Sequence, residues 1–440
     1  MEKSLGRVMY DWAFELFPIH RSLTGPGVRQ TLKFIKQILP NLEIHAVPSG
    51  TKAFDWTIPD EYKFIEATIK DMSGNTLIST KENNLHVVAY SIPVDKIIDK
   101  GELEDHLHSI PSQPDAIPYV TSYYNRDWGF CLSENQRKSL GNGPFQVRID
   151  SKLEPGFLNF GEIVIPGDSK EEILLSTYIC HPSMANNELS GPVVSMALIN
   201  WLQSLEKRKY TYRVVFLVET IGSIYYISRN LEALKSNVKA GWVLTCLGDN
   251  LSYSYLPTRN GNTLADRVSK RALLDKAGKF KQYGWLDRGS DERQYCAPGV
   301  DLPVASIMRS KYGEYLEYHT SLDNMEFISP EGLLGGYEVL KASIIILETN
   351  STYKPTYLCE PQLGKHGLYA TKGNKYLSQE FHNIRNVLTY LDGDNDILTL
   401  SDKCDLSYDS VVQILKNLIS AGLIEPLNLG KDEMLQLHFS

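Results

Sequence analysis

The sequence predicts an α/β protein: a mostly parallel sheet flanked by helices, with a β-rich inserted domain and a C-terminal winged helix-turn-helix. Three observations lead there. From Glu172 to Asn350, short apolar runs alternate with amphipathic helical stretches, as strands joined by helical crossovers require. Residues 42–149 change texture to short β-rich runs broken by Pro and Gly. Beyond residue 356 the chain closes on two helical segments joined by the turn Asp405-Leu406-Ser407. At 440 residues the chain is several times the ~150-residue prior for one domain. The expected boundaries are 1–41 with 150–355 for the α/β domain, 42–149 for the insert and 356–440 for the winged helix.

Taken in order, Leu5 to Phe17 and Val28 to Leu39 carry apolar residues at helical spacing, separated by the turn-forming loop from His20 to Gly27. In the insert, Glu43 to Val47, Phe64 to Lys70 and Leu85 to Ser91 read as strands, and Trp56, Trp128, Tyr123 and Tyr124 as core or interface aromatics. Glu172 to Ser176, Tyr212 to Val218, Ala240 to Leu247 and Val304 to Met308 read as strands. Pro192 to Leu205, Ile224 to Ser236, Thr263 to Leu274 and Pro330 to Asn350 read as the helices between and after them. The stretch from Gly364 to Gly373 suggests a short hairpin, and helices follow at Tyr376 to Leu391, Thr399 to Cys404 and Tyr408 to Ala421.

Composition narrows the function classes. Forty-two per cent hydrophobic and 22% charged residues suit a globular chain with a large core, which excludes disordered and collagen-like classes. No apolar run reaches the ~20 residues a spanning helix needs, and the acidic residues near the N-terminus do not suit a signal peptide. A cytoplasmic protein with no membrane partner is expected. The net charge of -8 works against phosphate backbones. The second helix of the tail, Tyr408 to Ala421, has Lys416 as its one cation, so nucleic acid is not the expected partner. Six scattered cysteines without a CxxC pair give neither a disulfide scaffold nor a thiolate zinc cluster, and buried reduced thiols are expected.

Polar clusters follow the predicted strands, where open α/β sheets place their ligand sites. They are Cys180 to Gly191, Glu219 to Ser223, Gly248-Asp249 and Tyr318 to Asn324. Imidazole and carboxylate at successive strand ends form the donor set of a catalytic zinc site, which leaves a position open for water. A further carboxylate that is not a ligand must then take the proton of that water.

The stretch from Glu172 to Asn350 resembles the co-catalytic zinc aminopeptidases, whose order is His, Asp in a D-N-x-S-G segment, a Glu-Glu pair, Asp and a final His. His181, Ser190-Gly191, Glu219, Asp249 and His319 fall on that order. The segments from His181 to Gly191, Glu219 to Ser223, Gly289 to Tyr295 and Tyr318 to Asp323 look more closely like uncharacterised bacterial aminopeptidase-like proteins. That likeness takes in the insert and the winged-helix tail. It implies a zinc-exopeptidase-like fold and a hydrolase acting on a peptide or amino-acid conjugate. Two positions depart from the pattern: Asn187 stands where the metal-bridging Asp belongs, and Thr220 where the second Glu belongs. An amide oxygen is a weak neutral ligand, so one zinc ion rather than a pair is expected.

The expected ligands are His181, Asp249 and His319, with Asn187 or Glu188 completing or orienting the shell. Glu219 is the expected general base. Asp291, Arg293 and Tyr318 are placed nearest the substrate, with Glu188 or Asp291 as the acidic partner of its free amine. The competing readings are an inert binding protein built on the same cleft and a regulator with a winged-helix tail. Homo-oligomerisation stays open.

Overall fold

A computed structural model describes residues 4–368 and 379–427. The chain divides into two compact units, one of Met1–Ala265 with Lys281–Tyr337, the other of Asp266–Phe280 with Glu338–Ser440.

In the first unit, α1 (Leu5–Leu16) and α2 (Pro26–Ile38) precede β1 (Glu43–Pro48). Ser4 caps α1 by accepting from the Arg7 amide, and Pro26 opens α2 where no amide donor is needed. Next come β2 (Glu61–Asp71), β3 (Thr76–Ser79), β4 (Val94–Ile98) and β5 (Phe145–Glu154), which form an antiparallel sheet in the order β3-β2-β5-β4. Its own small core includes Ile69, Trp128, Phe130 and Val147.

The main sheet is completed by β6 (Phe157–Ile165), β7 (Glu172–Tyr178), β8 (Thr211–Leu217), β9 (Val238–Val243), β10 (Ser254–Leu256), β11 (Lys281–Gln282) and β12 (Val304–Met308). The order is β1-β6-β8-β7-β9-β12-β10-β11. The central strands β8, β7, β9 and β12 run parallel, whereas β6 is antiparallel to both its neighbours and β10 is antiparallel to β12 but parallel to β11. Every residue of β7 and β12 is buried, which is why both are largely apolar, with Glu172, Ser176, Thr177 and Ser306 as the polar exceptions. The connecting helix α3 (Ser190–Ser204) approaches β7 and β9 closely at Gly191, where an added Cβ would stand 2.1 Å from the Leu244 carbonyl oxygen. The helix α4 (Ile221–Asn237) links β8 to β9.

Three readings of the insert change. Glu43–Pro48, expected in the insert, pairs with β6 at the edge of the main sheet. Leu85 to Ser91 is no strand. Asn83 caps a 3-10 turn over Asn84–His86, and Tyr90 has a positive φ of 68°, so the extended run breaks at both ends. The antiparallel sheet also shares its unit with the main sheet.

The second unit takes in most of α5 (Leu264–Ala277) and much of α6 (Pro330–Thr349), together with α7 (Gln379–Tyr390), α8 (Ile397–Cys404) and α9 (Tyr408–Ser420). Asp396 and Ser407 cap α8 and α9, and Asp405 makes the left-handed turn between them. The strands Tyr353–Pro355 and Ile424–Pro426 pair beside these helices. Leu363–His366 is a 3-10 turn where a hairpin was expected, and the remainder of that segment from residue 369 lies outside the described residues. Among the described residues, no helix is long and apolar enough to cross a membrane. All six cysteines are free; Cys131, Cys180, Cys246 and Cys296 are buried, but Cys359 is exposed.

Candidate active site

The polar clusters converge at the carboxyl ends of the parallel strands. His181, just past β7, is 3% exposed, and its Nδ1 donates to Glu188 Oε2 at 2.7 Å. Glu188 stands on a π turn, Ala185–Leu189, that leads into α3. A carboxylate on one imidazole nitrogen fixes the ring and leaves the other, Nε2, free for a ligand. Nε2 lies 3.5 Å from Glu219 Oε2, too long for a strong hydrogen bond.

Glu219 follows β8. Its Oε1 accepts from Ser290 Oγ at 2.9 Å, and its amide donates to Cys180 Sγ at 3.3 Å. The side chain keeps 21% exposure, so the second oxygen meets the cleft. Burial raises its carboxyl pKa above the ordinary value. Thr220, the next residue, has φ 64° and ψ -78°, which a β-branched side chain seldom adopts. Ser183, Cys246 and His319 also have positive φ, so strained backbone gathers around this edge of the sheet.

His319 brings a second imidazole, its centroid 5.5 Å from that of His181. Tyr318 stacks on it at 3.9 Å. Burial and the adjacent His181 push the His319 pKa down to about 3, so its nitrogens stay neutral and able to ligate. For His181 burial also works against the charge, but Cys180 and Glu188 outweigh it and raise the pKa well above the usual range, so a metal on Nε2 would have to displace a proton.

Asp249 does not present itself as a ligand. Its two oxygens accept from Asn186 Nδ2, the Ser310 amide, Ser310 Oγ and the Leu251 amide at 2.8–3.0 Å, which fills them. Among the described residues, the group of His, Cys, Asp or Glu compact enough to share an ion is Cys180, His181 and Glu188, within 4.8 Å. Asn187 gives its amide to Tyr178 Oη at 3.1 Å, and its Oδ1 is buried without a partner. Asp291 is fully buried. Its Oδ1 accepts from the Thr220 amide and Ser223 Oγ, both at 2.8 Å, and burial and Glu219 push its pKa up to about 7. That placement puts it behind Glu219 rather than against a substrate. Arg293 is exposed and donates to Thr220 Oγ1 at 2.7 Å.

Three residues join the site without having been expected there. Arg21, from the loop after α1, is fully buried, donates to the His181 carbonyl at 2.9 Å and lies 3.8 Å from Glu188 Oε1. Tyr119 packs against both imidazoles at 5.2 and 5.3 Å, and its hydroxyl meets that of Tyr123 at 2.7 Å. The turn-forming loop around Arg21 and the unassigned aromatics of the insert were the available signals.

The donors gathered at this edge, the imidazoles of His181 (through Nε2) and His319 and the orphaned Asn187 oxygen, are of the kinds a single borderline cation takes. Asp249 is saturated, and the positions 187 and 220, where the resemblance expects carboxylates for a second ion, carry an amide and a hydroxyl.

Comparison with known proteins agrees with this architecture. Residues 10–350 match a family described as a domain of unknown function, DUF4910, and residues 351–426 match a winged helix-turn-helix family. The chain belongs to the DUF4910 family. A member from Clostridium acetobutylicum, provisionally described as a polysaccharide biosynthesis protein with an aminopeptidase-like domain, is 44% identical over 92% of each chain. A crystal structure provisionally described as a peptidase from that organism superposes with TM-score 0.89 at 41% identity over 96% of each chain. BSAP, a zinc aminopeptidase from Bacillus subtilis, shares the fold at TM-score 0.55 and 13% identity, covering 78% of this chain and 96% of its own. This DUF4910 chain thus has an aminopeptidase-like α/β fold with a winged helix at its C-terminal side.

Proposed function

We propose that the protein is a metal-dependent hydrolase of the aminopeptidase type, cleaving an amide bond in a peptide or amino-acid conjugate. One observation carries the reading: Glu219, with one oxygen held by Ser290 and the other open, faces His181 and the neighbouring His319 ring at the strand ends. His181 and His319 would hold a single zinc ion, with Asn187 Oδ1 at the edge of its shell and Glu188 orienting His181. Bound there, the ion would supply Lewis-acid chemistry, polarising a scissile carbonyl and acidifying water. Glu219 then takes the proton of the attacking water and returns it to the leaving nitrogen. Ser290 keeps its carboxylate in one rotamer, and Asp291 fixes the Thr220 amide beside it. At the exposed side, Arg293 suits a carboxylate on the substrate, and Tyr318 supports His319 by stacking. The description of the Clostridium relative favours an amide within a saccharide-linked conjugate over an ordinary peptide. Six free cysteines support a reducing compartment, the cytoplasm.

The saturated Asp249 carboxylate favours a second reading, an inert relative that binds its ligand without cleaving it. Elemental analysis of protein purified without chelator or metal-affinity tag separates the two, combined with a hydrolysis screen of aminoacyl amides and aminoacyl amino sugars. Bound metal and turnover, both lost in His181→Ala, support the hydrolase. Metal-free wild-type protein without turnover overturns it and leaves the binding reading.

A further inference from the structure

We infer that Asp323 is a positioning residue, which holds the turn carrying Glu188 and the loop carrying His319 in one fixed register. The inference rests on the metal-site reading above.

Asp323 is fully buried, and four donors converge on its carboxylate. Oδ1 accepts from the amides of Ala185 at 3.1 Å and Asn186 at 2.6 Å. Oδ2 accepts from the Asn187 amide and Tyr315 Oη, each at 3.0 Å. A carboxylate has about four lone-pair directions, and all are in use. The three amides are successive and open the π turn Ala185–Leu189, so they have no acceptor within the turn itself. The acceptor comes from more than 130 residues further along the chain. The Asp323 carbonyl adds a fourth tie, accepting from the Ala185 amide at 2.9 Å.

Both ends of this clamp are site elements. The turn it grips presents Glu188, which sets the His181 ring at 2.7 Å. The loop it belongs to begins at His319, whose φ of 54° an unsupported backbone would relax. That loop is also fastened on its other side, since the Tyr119 amide donates to the His319 carbonyl at 2.8 Å and the Ser321 amide to Ile117 at 2.8 Å. His181 reaches its place through β7 and the turn, His319 through the loop after β12, and Asp323 is the direct link between the two. Its donors are three amides and a phenol, so an amide side chain cannot replace it: the NH₂ of Asn would point at a donor.

The test compares wild type, Asp323→Asn and Tyr315→Phe, which removes the fourth donor alone. Cobalt(II) serves as the metal probe, read by its visible absorption and by titration, at a temperature where circular dichroism shows the variant folded. Hydrogen exchange over residues 183–190 is measured on the same samples. The expected result for Asp323→Asn is cobalt affinity about tenfold weaker or more, with an altered absorption band. Residues 183–190 should exchange about tenfold faster, while residues 397–420 keep their rate. If Asp323→Asn does not fold, Tyr315→Phe is read in its place, with smaller shifts in the same direction. A folded variant with wild-type cobalt affinity, spectrum and exchange overturns the inference. Should wild type itself bind no cobalt, the metal reading fails, and the exchange arm alone decides: faster exchange at 183–190 upholds the clamp, unchanged exchange removes it.

Discussion

Replacing Glu219 by Gln separates a base from a ligand. The Gln carbonyl can keep the 2.9 Å bond from Ser290 Oγ, and its NH₂ takes the place of the oxygen 3.5 Å from His181 Nε2. Shape and one hydrogen bond survive, and a partly buried charge is removed. The stability change should stay within about 1 kcal/mol, the net worth of one ordinary hydrogen bond. Proton acceptance is lost altogether. General-base help is worth about 10²- to 10⁴-fold, which at 1.36 kcal/mol per decade is roughly 3 to 5 kcal/mol of barrier. The assay is kcat/KM on the best substrate of the hydrolysis screen, with metal content measured on the same preparation. Activity should fall by at least ~10²-fold while the metal stays. Loss of metal would show that Glu219 is a ligand, and unchanged activity would refute the mechanism built on it.

Four further outcomes are expected. Wild-type protein should carry about one tightly bound metal ion or fewer, and Asn187→Asp with Thr220→Glu should raise the occupancy, both read by elemental analysis. Arg21→Met should cost about 3 to 5 kcal/mol in urea unfolding, because it removes the buried cation 3.8 Å from Glu188 and leaves the Leu16 and His181 carbonyls without their donor. Gly332→Ala puts a Cβ 1.9 Å from the Gly248 carbonyl oxygen and should cost about 3 kcal/mol, whereas Gly141→Ala meets nothing within 4 Å and should stay within about 0.5 kcal/mol. A gel shift should show no salt-sensitive DNA binding at micromolar protein, since α9 offers Lys416 as its one cation; a shift that strengthens at low salt would revive the regulator.

The main sheet was legible because Val214–Leu217 of β8 is buried on both faces and spells itself out as an apolar run, and β12 is wholly buried and largely apolar. The same logic located His181, Glu219 and His319, since polar residues that interrupt such runs gather at one edge. Asp249 shows the limit. Its place after β9 could be read, but its four donors come from residues 186, 251 and 310, and no spacing rule reports that they consume it. Glu188 was left with two roles in the sequence, as part of the shell or as partner of a substrate amine, and in the fold its carboxylate lies 2.7 Å from His181 Nδ1. Tyr119 was hidden because its contacts with His181 and His319 span some 60 and 200 residues. Leu85 to Ser91 misled for a local reason: the apolar pattern suits a strand, but Tyr90 takes a left-handed backbone.

The stitching of residues 117–121 onto the His319 loop has a consequence for how this architecture can change. Pro118 bridges Thr320, Ile117 and Ser321 exchange hydrogen bonds, and Tyr119 leans on both imidazoles. The insert is therefore not a detachable ornament on a self-sufficient α/β body. Pruning it back to a short loop would unpin a histidine two hundred residues away, and grafting it onto another sheet of this fold would bring a wall without the loop it was shaped to hold. Insert and histidine loop must diverge together, so changes that arise in one will be tolerated only with matching changes in the other.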